Sequence, residues 1–127
     1  EEVGWGEQIA GLNTGRYDMV CSPANMTGSR AKAADFVTPF YYSPVYAWAR
    51  LDDDRFGTDS RTNLTRANNA DIKIATIDGE QSEAQAKQFF PKAKLLSLPQ
   101  NAPFSSMFFN VATRKADITI AEPVVMQ

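Results

Sequence analysis

From residue 62 onward the chain alternates short apolar runs with amphipathic stretches of about ten residues, and no other feature constrains its fold as much. Residues 64–69 read as a short helix and 72–77 as a buried strand. Asp78-Gly79 is turn chemistry, and 80–90 reads as a helix with Ala84, Ala86, Phe89 and Phe90 as its apolar set, stopped by Pro91. A strand over 95–98 follows, then the Pro-bearing loop 99–103. Next comes a helix over 105–113, whose core face carries Met107, Phe108 and Val111. A last strand, 117–121, runs into Glu122-Pro123. Strands and helices in this order predict an α/β fold with a parallel, doubly wound sheet.

The stretch from Trp5 to Arg30 has the same grammar. Trp5, Ile9 and Leu12 recur at i, i+4 and i+7, which predicts one helical face, and Gly15 supplies the stop. Residues 17–21 are mostly apolar and predict a strand buried on both faces, with Cys21 a small core residue. Ser22, Pro23, Asn25, Thr27 and Ser29 then make a polar loop ending in Arg30. Ligands of open α/β sheets sit outside the carboxyl ends of the strands, and this loop is such an end. A guanidinium there offers five donors in a planar fork, to which a carboxylate is the best geometric match. The alternative is an ordinary αβ unit whose Arg30 is a surface cation.

Residues 31–34 read as one helical turn, and 35–42 as extended, with Pro39 confining the segment to an edge or crossing role. Ser43-Pro44 interrupts before a further strand over 45–51. Such a break suits a crossing between two lobes; the other reading is a hairpin within one domain. The acidic run Asp52-Asp53-Asp54 lies in a charged loop and reads as solvated surface, since the alternating carboxylates of a hard-cation site are absent.

Composition narrows the function. A net charge of −2 lacks the basic face of a nucleic-acid binder. No apolar run approaches the ~20 residues that span a bilayer. The single cysteine permits no internal disulfide, and the chain has no histidine. The commonest general base, the Ser-His and Cys-His pairs and the usual zinc ligand are therefore missing, which favours binding over catalysis. No catalytic residue, metal ligand or cofactor is assigned.

Two more chemical candidates stand at strand ends. Gly79-Glu80-Gln81-Ser82 forms a strand-to-helix turn, where free backbone N–H groups and the helix dipole favour an anion. Glu122 is a carboxylate just past a buried strand, a position that surface residues also occupy.

Taken together, WGEQIAGLNTGRYDMV, the TGSR turn, ADFVTPFYYSPVYAW, the strand followed by Asp-Gly, and KADITIAE resemble the type 2 periplasmic solute-binding proteins, in particular bacterial extracellular solute-binding family 3 and its polar-amino-acid branch. The resemblance runs through nearly the whole chain. It implies two α/β lobes joined by crossing strands, with the fold incomplete in this chain: 1–43 a partial first lobe, 44–51 a crossing strand, and 52–127 most of the second lobe. The segment reads as an internal piece of a longer protein, so a swapped or otherwise associated dimer would be one way to complete the first lobe.

The resemblance also implies roles. Trp5 matches an aromatic that stacks on the ligand. Ser22, Pro23 and Asn25 belong to a loop that receives its polar groups. Arg30 matches the arginine that grips an α-carboxylate, Gly79 to Ser82 the second-lobe helix N-terminus that donates to it, and Glu122 the acid that pairs with the α-ammonium. It further implies an extracytoplasmic protein, periplasmic or extracellular, that delivers an amino acid or related carboxylate to the membrane permease of an ABC transporter. A ligand-sensing receptor ectodomain and a cyclohexadienyl (arogenate/prephenate) dehydratase-like enzyme are the alternatives. The stretch Arg55-Phe56-Gly57-Thr58 is similar to the latter, with Glu122 as its acid.

Two departures stand out. Glu80 occupies a place where the family carries a small hydroxyl residue, and Pro23 removes one N–H from the first-lobe loop. If Glu80 faces the cleft it repels an α-carboxylate; the alternative is that it caps the first helical turn. Together with Glu122 it would suit a cationic ligand, or one that is not a standard α-amino acid.

Overall fold

The computed structural model describes residues 3–22, 24–39, 41–56 and 60–123. Five helices and four strands are assigned among them: α1 Gln8–Asn13, α2 Gly28–Ala31, β1 Tyr46–Ala49, α3 Ser60–Ala67, β2 Lys73–Ile77, α4 Gln81–Phe89, β3 Lys94–Leu98, α5 Ser105–Ala112 and β4 Ile118–Ala121. The strands form one sheet in the order β1-β4-β2-β3. β2 runs parallel to both β3 and β4, while β1 joins the edge antiparallel to β4.

Burial follows the pleat. In β2 every residue from Ile74 to Ile77 is buried, as is all of β4, because each of these central strands is covered on both faces. On one face Ile74, Ile118 and Ile120 pack with Ile72, Ala67 of α3, and Ala86 and Phe90 from α4 and its end. On the other, Ala75 and Ile77 meet Met107 and Val111 of α5, together with Ala116. Burial of each such Ile side chain contributes about 1.5–3 kcal/mol. Thr119, wholly buried, donates its hydroxyl to the Ala75 carbonyl at 2.8 Å, so its polarity is satisfied within the sheet.

The three mutually parallel strands share one carboxyl edge. The turn after Ile77, the loop after Leu98 and the segment after Ala121 therefore all emerge on the same side. The β2–α4 turn is held by Glu80 N–H to the Ile77 carbonyl at 3.1 Å and by Asp78 N–H to Leu98 at 2.9 Å.

Several expectations are corrected. Residues 17–21 form no strand, and Cys21 is exposed. Tyr17 instead folds back on α1, its hydroxyl donating to the Gln8 carbonyl at 2.9 Å over the buried Gly11. A strand needs partners, and among the described residues none lies beside this segment. Residues 35–39 and 41–45 are unpaired too, and Phe40 lies outside the described residues. Helix α1 begins at Gln8, leaving Trp5 in the turn before it. The single turn expected over 31–34 sits earlier, as α2, with the Thr27 hydroxyl capping Arg30 N–H. On α4 only Ala86 and Phe90 of the expected apolar set are buried; Ala84 and Phe89 are exposed. The acidic run is not uniformly surface: Asp53 is buried between Arg50 and Arg55, while Asp52 and Asp54 are exposed.

Candidate functional site

Residues from distant parts of the chain converge at the carboxyl edge of the sheet. Trp5 packs edge-on against Phe104 with ring centroids 5.7 Å apart, and it joins the cluster under α5. The 4–6 segment thereby runs directly over the β2–α4 turn. Gly79 has φ +72°, and a Cβ on it would meet the Gly6 backbone nitrogen at 2.9 Å. Both the backbone conformation and the close approach exclude a side chain here. Gly79→Ala is therefore expected to destabilise the protein by about 1–3 kcal/mol. A thermal melt checks it, and an unchanged midpoint would mean that neither the positive φ nor the Gly6 contact constrains residue 79.

Arg30 spans the gap between the loop that carries Asn25 and this turn. Its Nη1 donates to the Asn25 carbonyl at 3.2 Å and its Nη2 to the Gly79 carbonyl at 3.5 Å. Asn25 in turn donates from Nδ2 to Glu122 Oε1 at 3.1 Å. Arg30 and Glu122, 92 positions apart in sequence, thus line one small cavity of about 100 Å³ together with Trp5, Asn25, Glu80, Gln81, Ser82 and Phe104. A second cavity of about 290 Å³ opens between α2 and α4, lined by Thr27, Ser29, Arg30, Gly79 and the glutamines 81, 85 and 88. Arg30, Glu80, Gln81 and Gln85 belong to both.

The helix N-terminus differs from expectation. Glu80 is the N-cap of α4, and its Oε2 accepts Ser82 N–H at 2.7 Å. Glu83 reaches back from the first turn to accept Gly79 N–H at 2.9 Å. These two N–H groups are therefore engaged by the chain's own carboxylates and not free for an anion. Burial works to raise the Glu83 pKa, but hydrogen bonds from Lys87 and the Gly79 N–H outweigh it and hold the carboxyl below the usual range. Ser82 is buried, and its hydroxyl oxygen accepts Ile77 N–H at 3.3 Å, fixing the turn.

Of the ten residues expected at a site, Trp5, Asn25, Arg30, Gly79, Glu80, Gln81, Ser82 and Glu122 line one or both cavities. Ser22 lines neither, and Pro23 lies outside the described residues. Sequence reasoning missed Phe104, Gln85 and Gln88. Phe104 sits just before α5, in the loop after β3, which the strand-end rule marks as site-forming. Gln85 and Gln88 have only helical spacing from Gln81 as a signal. Among the described residues no cluster of three or more His, Cys, Asp or Glu side chains could hold a metal ion.

The fold is that of an α/β ligand-binding protein, with the candidate site outside the strand ends. The chain belongs to the bacterial extracellular solute-binding proteins, family 3, whose model matches residues 1–92. Among solved structures it is similar to an ancestral amino acid-binding protein, a precursor of cyclohexadienyl dehydratase, at 28% identity and TM-score 0.84 over 98% of this chain and 52% of that one. An amino acid ABC transporter substrate-binding protein from Streptococcus pneumoniae, bound to L-arginine, matches at 24% identity and TM-score 0.79 over 99% and 49% of the two chains. The cysteine-binding protein of Campylobacter jejuni matches at 17% identity and TM-score 0.75 over 98% and 46%. These last two likenesses are of fold alone. The chain spans about half the length of these structures. A comparison with curated proteins finds no match.

Proposed function

We propose that the protein is the extracytoplasmic receptor of an ABC transporter, periplasmic or extracellular, which clamps an amino acid between two lobes and presents it to the permease. Residues 1–43 would contribute to the first lobe, 44–51 to the crossing and 52–127 to the second. The observation that carries this reading is the placement of Arg30 and Glu122 on one cavity beside Trp5. An α-amino acid presents opposite charges a few ångströms apart, and this wall offers a guanidinium fork for the carboxylate and a carboxylate for the ammonium. Each charge-assisted bond is worth roughly 1.5–3 kcal/mol. Because the two groups come from different lobes, the ligand binds the closed form best and so drives closure.

A dehydratase-like enzyme is the second reading, favoured by the dehydratase precursor among the similar structures. It requires a general acid aimed at a leaving hydroxyl, and Glu122, which accepts from Asn25, would be that acid. A thermal-shift screen of the full-length protein against amino acids, polyamines and small carboxylates, beside a prephenate turnover assay, separates the two. A stabilising amino acid with no turnover is expected. Turnover, or a cooperative melt that no amino acid shifts, would defeat the receptor reading.

A further inference from the structure

The acid at the cavity leaves the sheet from a thinly held strand end. β4 keeps register with β2 only at Ile118 and Thr119, opposite Ile74 and Ala75. Its last two residues, Ile120 and Ala121, are paired on the β1 side alone among the described residues, opposite Ala47 and Tyr46. Glu122 follows at once, and its Oε1 accepts from Asn25. A strand end held by one ladder opens more easily than one held by two, so the placing of this carboxylate needs a further restraint.

Trp48 supplies it. The residue stands on β1 opposite Thr119, and its side chain reaches along β4 so that Nε1 donates to the Ala121 carbonyl at 3.0 Å. That oxygen belongs to the peptide from which Glu122 departs. The peptide unit is planar, so holding its oxygen also fixes the Cα of residue 122. The indole is itself held: its ring stands edge-on to Phe108 of α5 with centroids 5.9 Å apart, and to Tyr46 at 6.2 Å. A Val or Phe would serve the packing equally well, but neither carries the donor that an indole adds at its tip.

We infer that Trp48 is a positioning residue for Glu122: its indole N–H, by fixing the 121–122 peptide, holds the Glu122 carboxylate on the cavity wall where the ammonium of an amino acid is received. This rests on the amino-acid reading above and adds to it a residue that lines neither cavity. Trp48 acts from β1, the strand proposed as the crossing between lobes. The set of the crossing is therefore felt at the acid, through one side chain.

The test is a double-mutant cycle on the full-length protein, read by titration calorimetry with each of the standard L-amino acids in turn. Trp48→Phe keeps an aromatic ring against Phe108 and removes the donor, and a circular-dichroism melt verifies the fold. For an amino acid that binds the parent, Trp48→Phe is expected to weaken binding by about threefold to tenfold, the worth of one neutral hydrogen bond. The same change should cost less than about twofold where Glu122 is already Gln. Coupling is reciprocal, so in the unsubstituted protein a saturating amino acid should slow hydrogen exchange of the Trp48 indole N–H, measured by NMR, by a similar factor. Where either substitution abolishes folding or binding, that exchange rate decides. An equal loss in both backgrounds, no loss in Trp48→Phe, or an exchange rate untouched by the amino acid overturns this inference while leaving the receptor standing. Failure of every amino acid to bind, in a protein that melts cooperatively, overturns both.

Discussion

Asp53→Ala is expected to destabilise the protein by about 3–5 kcal/mol, measured by urea unfolding. Asp53 Oδ2 accepts from Arg50 Nη2 at 2.8 Å and from Arg55 Nη2 at 2.7 Å. Its Oδ1 accepts from Arg55 Nε at 2.8 Å and from the Arg55 N–H at 3.2 Å. The carboxylate is only 4% exposed and Arg50 only 14%. Arg50 also donates from Nη1 to the Val111 and Ala116 carbonyls, so it ties the end of β1 to the end of α5. Without Asp53 that guanidinium would keep a desolvated charge with its main counter-ion gone. Arg55 is 46% exposed and pairs with Asp117 as well, so solvent would absorb much of its loss and the lower end of the range is expected.

The same site predicts a pH dependence. Hydrogen bonding from the Arg55 side chain, ahead of the charges of Arg55 and Arg50, holds the Asp53 carboxyl below its ordinary range despite its burial. A carboxyl whose pKa is depressed by folding adds stability that is complete above its unfolded value, about 4, and is lost as pH falls through the lower folded value. Stability should therefore drop more steeply below about pH 4 in the parent than in Asp53→Asn. Parallel curves, or a loss under about 1 kcal/mol in Asp53→Ala, would show the cluster to be solvated.

Arg30→Ala is the second large effect. Affinity for the amino acid identified by the screen should fall by about 2–5 kcal/mol, roughly thirtyfold to a few thousandfold, because a bound carboxylate loses its counter-charge inside the cleft. Arg30→Lys should recover only part of it, since an ammonium cannot match a carboxylate with two parallel bonds. Calorimetry checks both, with the melting temperature as a control for folding. Undiminished affinity in Arg30→Ala would remove Arg30 from the site.

The half of the fold from α3 to β4 was legible in the sequence because its signals are local. Ile72, Ile74 and Ile77 announce a strand, Pro91 a helix end, and Asp78-Gly79 a turn, each within a few residues. Residues 17–21 misled for the converse reason: a mostly apolar run declares a tendency, but pairing needs a neighbour elsewhere in the chain. Cys21 and Asp53 fail in the same way, since burial of a thiol or carboxylate depends on what folds over it. Arg50 and Arg55 lie close to Asp53, yet nothing in the spacing tells a buried pair from a solvated one. Within the candidate site, the strand-end rule found Glu122 and the Gly79 turn, and it equally marks the loop that carries Phe104. The sense of Glu80 was open from sequence, because a carboxylate at an N-cap both bonds inward to its helix and faces whatever lies beyond it.

The contacts of Arg30 with the Gly79 carbonyl and of Asn25 with Glu122 have a kinetic consequence. Both cross from the N-terminal loop to the sheet's carboxyl edge, and both occupy groups that an amino acid would need. Under the proposed reading entry would be an exchange, in which each charged end of the ligand evicts an internal partner. Leaving is assisted by the return of those partners. A latch of this kind holds affinity below what the same groups would give if unoccupied, and it quickens dissociation. With an amino acid as ligand, as proposed, such a cleft would favour rapid turnover of the occupied state over tightness.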